Sequence, residues 1–283
     1  MKNIKDSKII VCSIVRNAAR GLKRNIPIIE TICASFKDYK IFVYENDSTD
    51  NTKELLIKWK NTFPSKIEII TENIDPTSTV PHNVKSVNPF YSKARISKMV
   101  SCRNQYMEMI EKKKWDADYL MVVDLDVAQL YIQAILTSFS SNIEWDAVTA
   151  FGYSLSPKLK RRYHDTYALT EYKDENTAQT ETKIKYLAEK YGNLTEKDDW
   201  IRVFSAFGGL AIYKYDAVKG LKYQLLSNDD DRVEVKCEHY SIYKQMAEAG
   251  YNKVYINPAM CLKYQSLSYS IIKNHILRKL RLK

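Results

Sequence analysis

DYLMVVDLDV, residues 118–127, is an unbroken apolar run that ends on two acids. No polar residue interrupts Tyr119 to Val123. The run is therefore expected to be a strand buried on both faces, the kind found in parallel sheets covered by helices. Reading outward from it, KIIVCSIV (8–15), KIFVYEN (40–46) and KIEIITEN (66–73) are three further strand-like runs. Helical segments are expected between them, over about 22–36, 49–63 and 92–113. This βαβαβαβ order predicts an α/β fold with a mostly parallel central sheet and helices on both faces.

Beyond Asp126 the order is less regular. A helix is expected over 129–139, a strand over 145–153, a helix within 175–192, and a strand over 204–214 that contains Gly208 and Gly209. A helix over 236–250 closes on Gly250, and a last strand covers 251–260. Residues 74–95 carry Pro76, Pro81 and Pro89 without a clear period. Such a segment is either functional or a plain surface excursion. No shift in composition marks a linker. One domain is expected, with a nucleotide-binding half (about 1–127), an acceptor half (about 128–265) and a basic tail (266–283).

The 283 residues carry 44 basic against 34 acidic side chains, a net charge of +10. That excess favours anionic partners or is simply a solvated basic surface. The 5 cysteines form no C-x-x-C pair and are expected as free thiols of a reducing compartment. The apolar run at the N-terminus breaks at Arg16, as a first strand does and a signal peptide does not. No stretch approaches the roughly 18 apolar residues of a membrane span. A cytoplasmic protein is expected. The tail HILRKLRLK (275–283) is either disordered or a helix lying on an anionic bilayer, which would give peripheral membrane contact.

Asp124 and Asp126 stand two apart. On an extended strand both carboxylates would face one side, where they repel and resist desolvation. A divalent cation with oxygen ligands, Mg2+ or Mn2+, relieves both costs and can bridge substrate phosphates. Alternatively, Asp126 caps the next helix and Asp124 pairs with a base. Ligands of open parallel sheets sit outside the carboxyl ends of the strands. Arg16 and Asn17 follow the first strand, Glu45, Asn46 and Asp47 end the second, and Asp124 and Asp126 end the fourth.

ENDSTDNT (45–52), VVDLDV (122–127) and RISKMVSCRNQYM (95–107) together resemble nucleotide-sugar-dependent glycosyltransferases of the GT-A, Rossmann-like fold. SAFGGLAIYK, CEHYSIYKQMAEAGYNKVYINPAM and VRNAARGLKRNI are similar to the capsule-associated, alpha-mannosyltransferase-like branch and its bacterial relatives. The resemblance covers about residues 8–262, and this regular D-x-D departs from the forms of that branch.

It implies that Asp124 and Asp126 hold Mn2+ or Mg2+ and, through it, the diphosphate. Glu45 and Asp47 would face the nucleoside, with Asn46 shaping the turn. Arg16 would lie by the base or ribose, and Arg95 and Arg103 by the phosphates. Gly208 and Gly209 would lie beside the donor sugar, with a simple bulge as the alternative. Glu238 is the expected base on the acceptor hydroxyl and His239 the expected third metal ligand. Alternatively, Glu238 only stabilises its helix N-terminus and His239 is a satisfied surface residue. KRRYHDTY (160–167) is a weaker candidate for donor or acceptor contact.

The implied reaction moves a sugar from a nucleoside diphosphate to a hydroxyl of a glycan or lipid-linked acceptor, in surface polysaccharide or glycan synthesis. The sugar, the nucleotide and the stereochemical course stay open, and the branch leans towards retention. A sugar-nucleotide pyrophosphorylase is the enzymatic rival, but it calls for a Gly-rich loop after the first strand, where only Gly21 stands. A nucleic-acid-binding protein would account for the charge, yet no zinc-finger spacing or aromatic-basic RNA motif occurs and no nucleic-acid partner is expected.

Overall fold

The structure is a computed structural model that describes residues 3–74, 87–156 and 159–265. The basic tail and most of the proline-bearing segment lie outside the described residues, and with them the expected membrane contact. Among the described residues no helix is long and apolar enough to cross a membrane.

The first half follows the expected order. Strand β1 (Lys8–Val15) leads to α1 (Ala19–Cys33), β2 (Asp38–Asn46), α2 (Thr52–Thr62) and β3 (Ile67–Glu72). Helix α3 (Lys93–Lys113) returns the chain to β4 (Tyr119–Val123). The remainder comprises α4 (Ile132–Ser140), β5 (Ala147–Leu155), β6 (Arg161–Tyr163), β7 (Thr170–Glu171), α5 (Glu181–Lys190), β8 (Ile201–Ser205), β9 (Leu210–Lys214), α6 (Tyr215–Val218), α7 (Glu238–Glu248) and β10 (Val254–Lys263).

One sheet runs β3-β2-β1-β4-β9-β5-β10-β8-β7, with β6 beside β5. Strands β1 to β4 are parallel, and β9 enters antiparallel between β4 and β5. The continuous apolar runs are explained by alternation on a sheet covered twice. Ile10, Cys12, Phe42, Leu120 and Val122 share one core with Ile96, Tyr106 and Ile110 of α3. Ile9, Val11, Val43, Met121 and Val123 point the other way, to a core with Leu22 and Ile29 of α1, Leu56 of α2 and Ile135 of α4.

Three expectations change. The run 204–214 is not one strand, because Gly208 (φ 64°) and Gly209 (φ 91°) make a turn between β8 and β9. Both glycines occupy the left-handed region, and Leu210 N–H closes the turn on the Phe207 carbonyl at 3.2 Å. The close approach is to the protein itself: a Cβ on Gly208 would sit 2.3 Å from the Ala150 carbonyl oxygen. The second change is at the D-x-D: β4 ends at Val123, so Asp124 and Asp126 lie in the turn after the strand. The third is the last strand, expected over 251–260, which runs as β10 from Val254 to Lys263; α5 falls within its expected stretch, with Thr180 accepting from Lys183 N–H as N-cap.

The glycine turn gives a direct test. Gly208→Ala is expected to lower stability by about 1–3 kcal/mol through backbone strain alone, with the clash added. Gly250→Ala, also at positive φ but with no atom within 4 Å of its new Cβ, should show only the strain. Urea denaturation of the two variants side by side reads the difference.

Candidate functional site

Reversal of strand order around β1 decides where a ligand can sit. β2 lies on one side of β1 and β4 on the other, so the crevice opens beyond the ends of β1 and β4. Arg16 and Asn17, Asn46 and Asp47, and Asp124 follow three parallel strands and stand on this rim.

The first two loops are laced together. Asn17 N–H donates to Ser48 Oγ at 2.9 Å, and Thr49 N–H returns a bond to Asn17 Oδ1 at 2.8 Å. Ala18 N–H donates to Thr52 Oγ1 (2.8 Å) and Ala19 N–H to Asp50 Oδ2 (3.1 Å). The polar octet 45–52 therefore caps α1, whose own N-cap residue Ala18 has no side chain for the task.

Glu45 is fully buried and accepts from Ser48 N–H at 2.8 Å, with Lys53 4.0 Å away. Asp47 stands at φ 54° and accepts from Asn46 Nδ2 (2.8 Å), Ile74 N–H (2.7 Å) and Lys98 Nζ (3.4 Å). Desolvation would raise its pKa, but these donors hold it below the usual range. Asp47 thus spends its oxygens on these donors, while Glu45 Oε2 is buried without a hydrogen-bond partner among the described residues. Asn46 is buried beside them, while Arg16 is exposed.

Asp124 is the centre of the site. Its N–H donates to the Gly209 carbonyl at 2.9 Å, which ties the turn after β4 to the glycine turn. Its Oδ2 accepts from Tyr264 O–H at 3.0 Å, and its Oδ1 lies 3.9 Å from Arg103 Nη2. Burial, with Asp126 and Glu238 adding to it and Arg103 and Tyr264 opposing it, pushes this carboxyl up to about 7. Asp126 is exposed two residues on.

Arg103 is 3% exposed on α3 and donates from Nε to Glu238 Oε1 at 2.9 Å. Its guanidinium lies over the Phe207 ring at 5.1 Å and the Tyr223 ring at 5.8 Å. Glu238 is itself 4% exposed, at the first position of α7. The Arg expected at phosphates and the Glu expected at an acceptor are thus joined to each other in the interior. Arg95, half-buried, donates to the Phe90 carbonyl at 2.9 Å.

His239 is 1% exposed, not a surface residue, and its ring stacks on Phe207 at 3.9 Å. Burial holds it well below its ordinary pKa, as a neutral imidazole. Among the described residues no group of three His, Cys, Asp or Glu side chains is assembled for a metal, so His239 does not complete a set with Asp124 and Asp126.

Two side chains carry little sequence signal yet stand here. The Tyr264 ring stacks on His164 at 3.5 Å while its hydroxyl holds Asp124. Asp165, next in chain, sits at φ 64°, and burial with the charges of Glu238 and Asp124 pushes its carboxyl to about 8. Asp165 lies in KRRYHDTY (160–167), the weaker candidate stretch of the sequence, where the basic run lowered its weight.

Residues 8–244 match the family described as Cryptococcal mannosyltransferase 1. The chain belongs to that family. No curated protein matches the sequence. Among solved structures this family member is similar to the mannosyltransferase PcManGT from Pyrobaculum calidifontis, in complex with GDP-Man and Mn2+. The identity is 12% and the TM-score 0.51, over 98% of this chain and 65% of that one. The chain thus spans just under two thirds of that relative's length. More distant likenesses include S. aureus TarS in complex with UDP-GlcNAc (12% identity, TM-score 0.43, 93% and 60% covered). Another is glucosyl-3-phosphoglycerate synthase from Mycobacterium tuberculosis with Mn2+, UDP and phosphoglyceric acid (10% identity, TM-score 0.45, 97% and 76% covered). The fold is that of the GT-A glycosyltransferases, as the sequence led one to expect.

Two outcomes follow for this family member. Arg103→Met leaves Glu238 buried without its partner and is expected to cost about 3–5 kcal/mol in thermal or urea denaturation. Asp165 has a folded pKa above its unfolded one, so its contribution to stability is present below about pH 4 and lost as pH rises to about 8. Asp165→Asn, which keeps the neutral shape, should therefore raise the melting temperature more at pH 9 than at pH 5.

Proposed function

We propose that this chain is a metal-dependent glycosyltransferase. It moves a sugar from a nucleoside-diphosphate sugar to a hydroxyl of a glycan or lipid-linked acceptor, in the synthesis of a surface polysaccharide or related glycan. The observation that carries the reading is Asp124, a desolvated carboxylate at the reversal point of the sheet with a second carboxylate, Asp126, two residues away.

These residues fit a divalent cation. Two carboxylates with no third protein ligand suit an ion that completes its shell with water and substrate phosphates. Asp124 and Asp126 would hold Mn2+ or Mg2+. When bound, the ion neutralises charge on the departing diphosphate. The rest falls to the chain itself. Arg103, fixed on Glu238, keeps a permanent positive charge behind Asp124. Arg16, exposed after β1, is assigned to the base or ribose, and Arg95 to the phosphate side. The tied octet 45–52 forms a rigid wall on the nucleoside side.

The acceptor oxygen bonds to the anomeric carbon as the bond from that carbon to the diphosphate oxygen breaks. With inversion the hydroxyl proton passes to a carboxylate; with retention it passes to the departing diphosphate. Glu238 is committed to Arg103, so in this reading it positions the guanidinium. The contact with the acceptor hydroxyl is assigned to Asp165 instead, which has no hydrogen-bonding partner for its carboxylate among the described residues. The family name and the GDP-Man held by the archaeal relative make GDP-mannose the first donor to try.

A panel of nucleotide sugars with Mn2+ tests the proposal, scored by donor hydrolysis and thermal shift. One or two donors are expected to respond, and Asp124→Ala/Asp126→Ala should reduce turnover by about 100-fold or more. A response that survives the double substitution unchanged would remove the reading.

A further inference from the structure

Asn25 is fully buried in the second turn of α1. A buried amide in a helix is a poor choice for stability, since Asn has low helix propensity and its polar atoms must be satisfied. Here Nδ2 donates twice, to the Leu125 carbonyl and to the Val127 carbonyl, each at 2.9 Å. These are the carbonyls on either side of Asp126. Oδ1 has no partner among the described residues. The two acceptors fix which way the amide faces, so the uncompensated oxygen is the cost of placing a double donor there. A site selected for packing alone would carry an apolar side chain.

The same helix holds the turn in two other ways. Arg24 Nη2 donates to the Val127 carbonyl at 2.9 Å. Gly21 lets the backbones touch: a Cβ there would lie 2.5 Å from Asp126 Cα and 2.6 Å from the Leu125 carbonyl oxygen. Asp126 is thus stopped on one side by the helix and tied at both flanking carbonyls, while its own side chain stays exposed. One turn earlier, Asp50 and Thr52 cap the start of α1. The helix is a short bar from the loop after β2 to the turn that bears Asp126.

We propose that Asn25 is a positioning residue for the metal site, acting through the backbone of residues 125–127 to hold the Asp126 carboxylate where it can share a divalent cation with Asp124. This rests on the reading of Asp124 and Asp126 as metal ligands. Partners that orient a metal ligand are worth roughly 10- to 100-fold in metal affinity.

The test is Asn25→Leu, close in size and free of the unpaired oxygen. Mn2+ affinity is read from loss of the free-ion electron paramagnetic resonance signal with GDP present, so no turnover is needed. The expected result is Mn2+ binding by the folded protein weakened by roughly 10- to 100-fold, beyond the fall in melting temperature that the two lost bonds bring. A merely structural role would lower the melting temperature and leave the affinity of the folded protein unchanged; that outcome overturns the proposal. Should Asn25→Leu fail to fold, Arg24→Met removes one of the three bonds to the turn, and a smaller weakening is expected. Unchanged affinity there overturns it equally. If the parent chain binds Mn2+ no better than Asp124→Ala/Asp126→Ala, the metal reading itself falls and takes this inference with it.

Discussion

One guanidinium, buried between α3 and α7, sets the terms for the site. Arg103 is bonded to Glu238 and lies behind Asp124, and its own charge cannot be discharged because Arg keeps its proton in any protein interior. Glu238 opens α7, so this one pair joins a helix of the first half to a helix of the second across the sheet's rim. The aromatic slot of Phe207 and Tyr223 holds the guanidinium plane, and Phe207 also carries the His239 ring. Packing, charge and the geometry of Asp124 are therefore one problem with one solution. A lysine would supply the charge without the planar fork or the stacking.

Strands β1, β2 and β4 were legible because burial on both faces leaves no polar alternation to misread. Asp124 and Asp126 were legible for a related reason: acids after an apolar strand have few structural excuses. The second half was harder. β6 and β7 have three and two residues, too few for a period to show, and β9 runs against its neighbours. The glycine pair could be read as permissive backbone, but its packing against Ala150 and Gly152 depends on strands distant in sequence.

The burial of side chains was the least legible property. Glu45 and Asp47 were visible as polar residues at a strand end. Their engagement by Ser48, Ile74 and Lys98 follows from loop geometry, which residue type does not encode. Arg103 and Glu238 were each chosen as functional residues, 135 positions apart, and nothing local to either announces the other. Tyr264 gave almost no signal, and Asp165 only a weak one within 160–167, since a tyrosine near a strand end and an acid after a basic run are common surface patterns. Asn25 lay in a segment expected as a helix, and only its two bonds give it a task.

The charge balance then constrains the chemistry more tightly than any single residue. The chain carries +10 overall, which draws anionic ligands towards its surface. The rim beyond β1 and β4 has the opposite character. Asp124, Asp126, Asp165 and Glu238 act there against Arg103, with Arg95 at the edge. Burial is the main reason that Asp124 and Asp165 are raised, and the neighbouring carboxylates add to it: they resist ionising together. A diphosphate entering this rim alone would add to the surplus, and protonating the acids would remove the groups that define the site. The divalent cation of the proposed reaction would reverse the sign locally and let carboxylates and diphosphate coexist. On the proposed reading, the long-range field would bring a nucleotide sugar to the protein, while the local acids would admit its diphosphate only together with a metal ion.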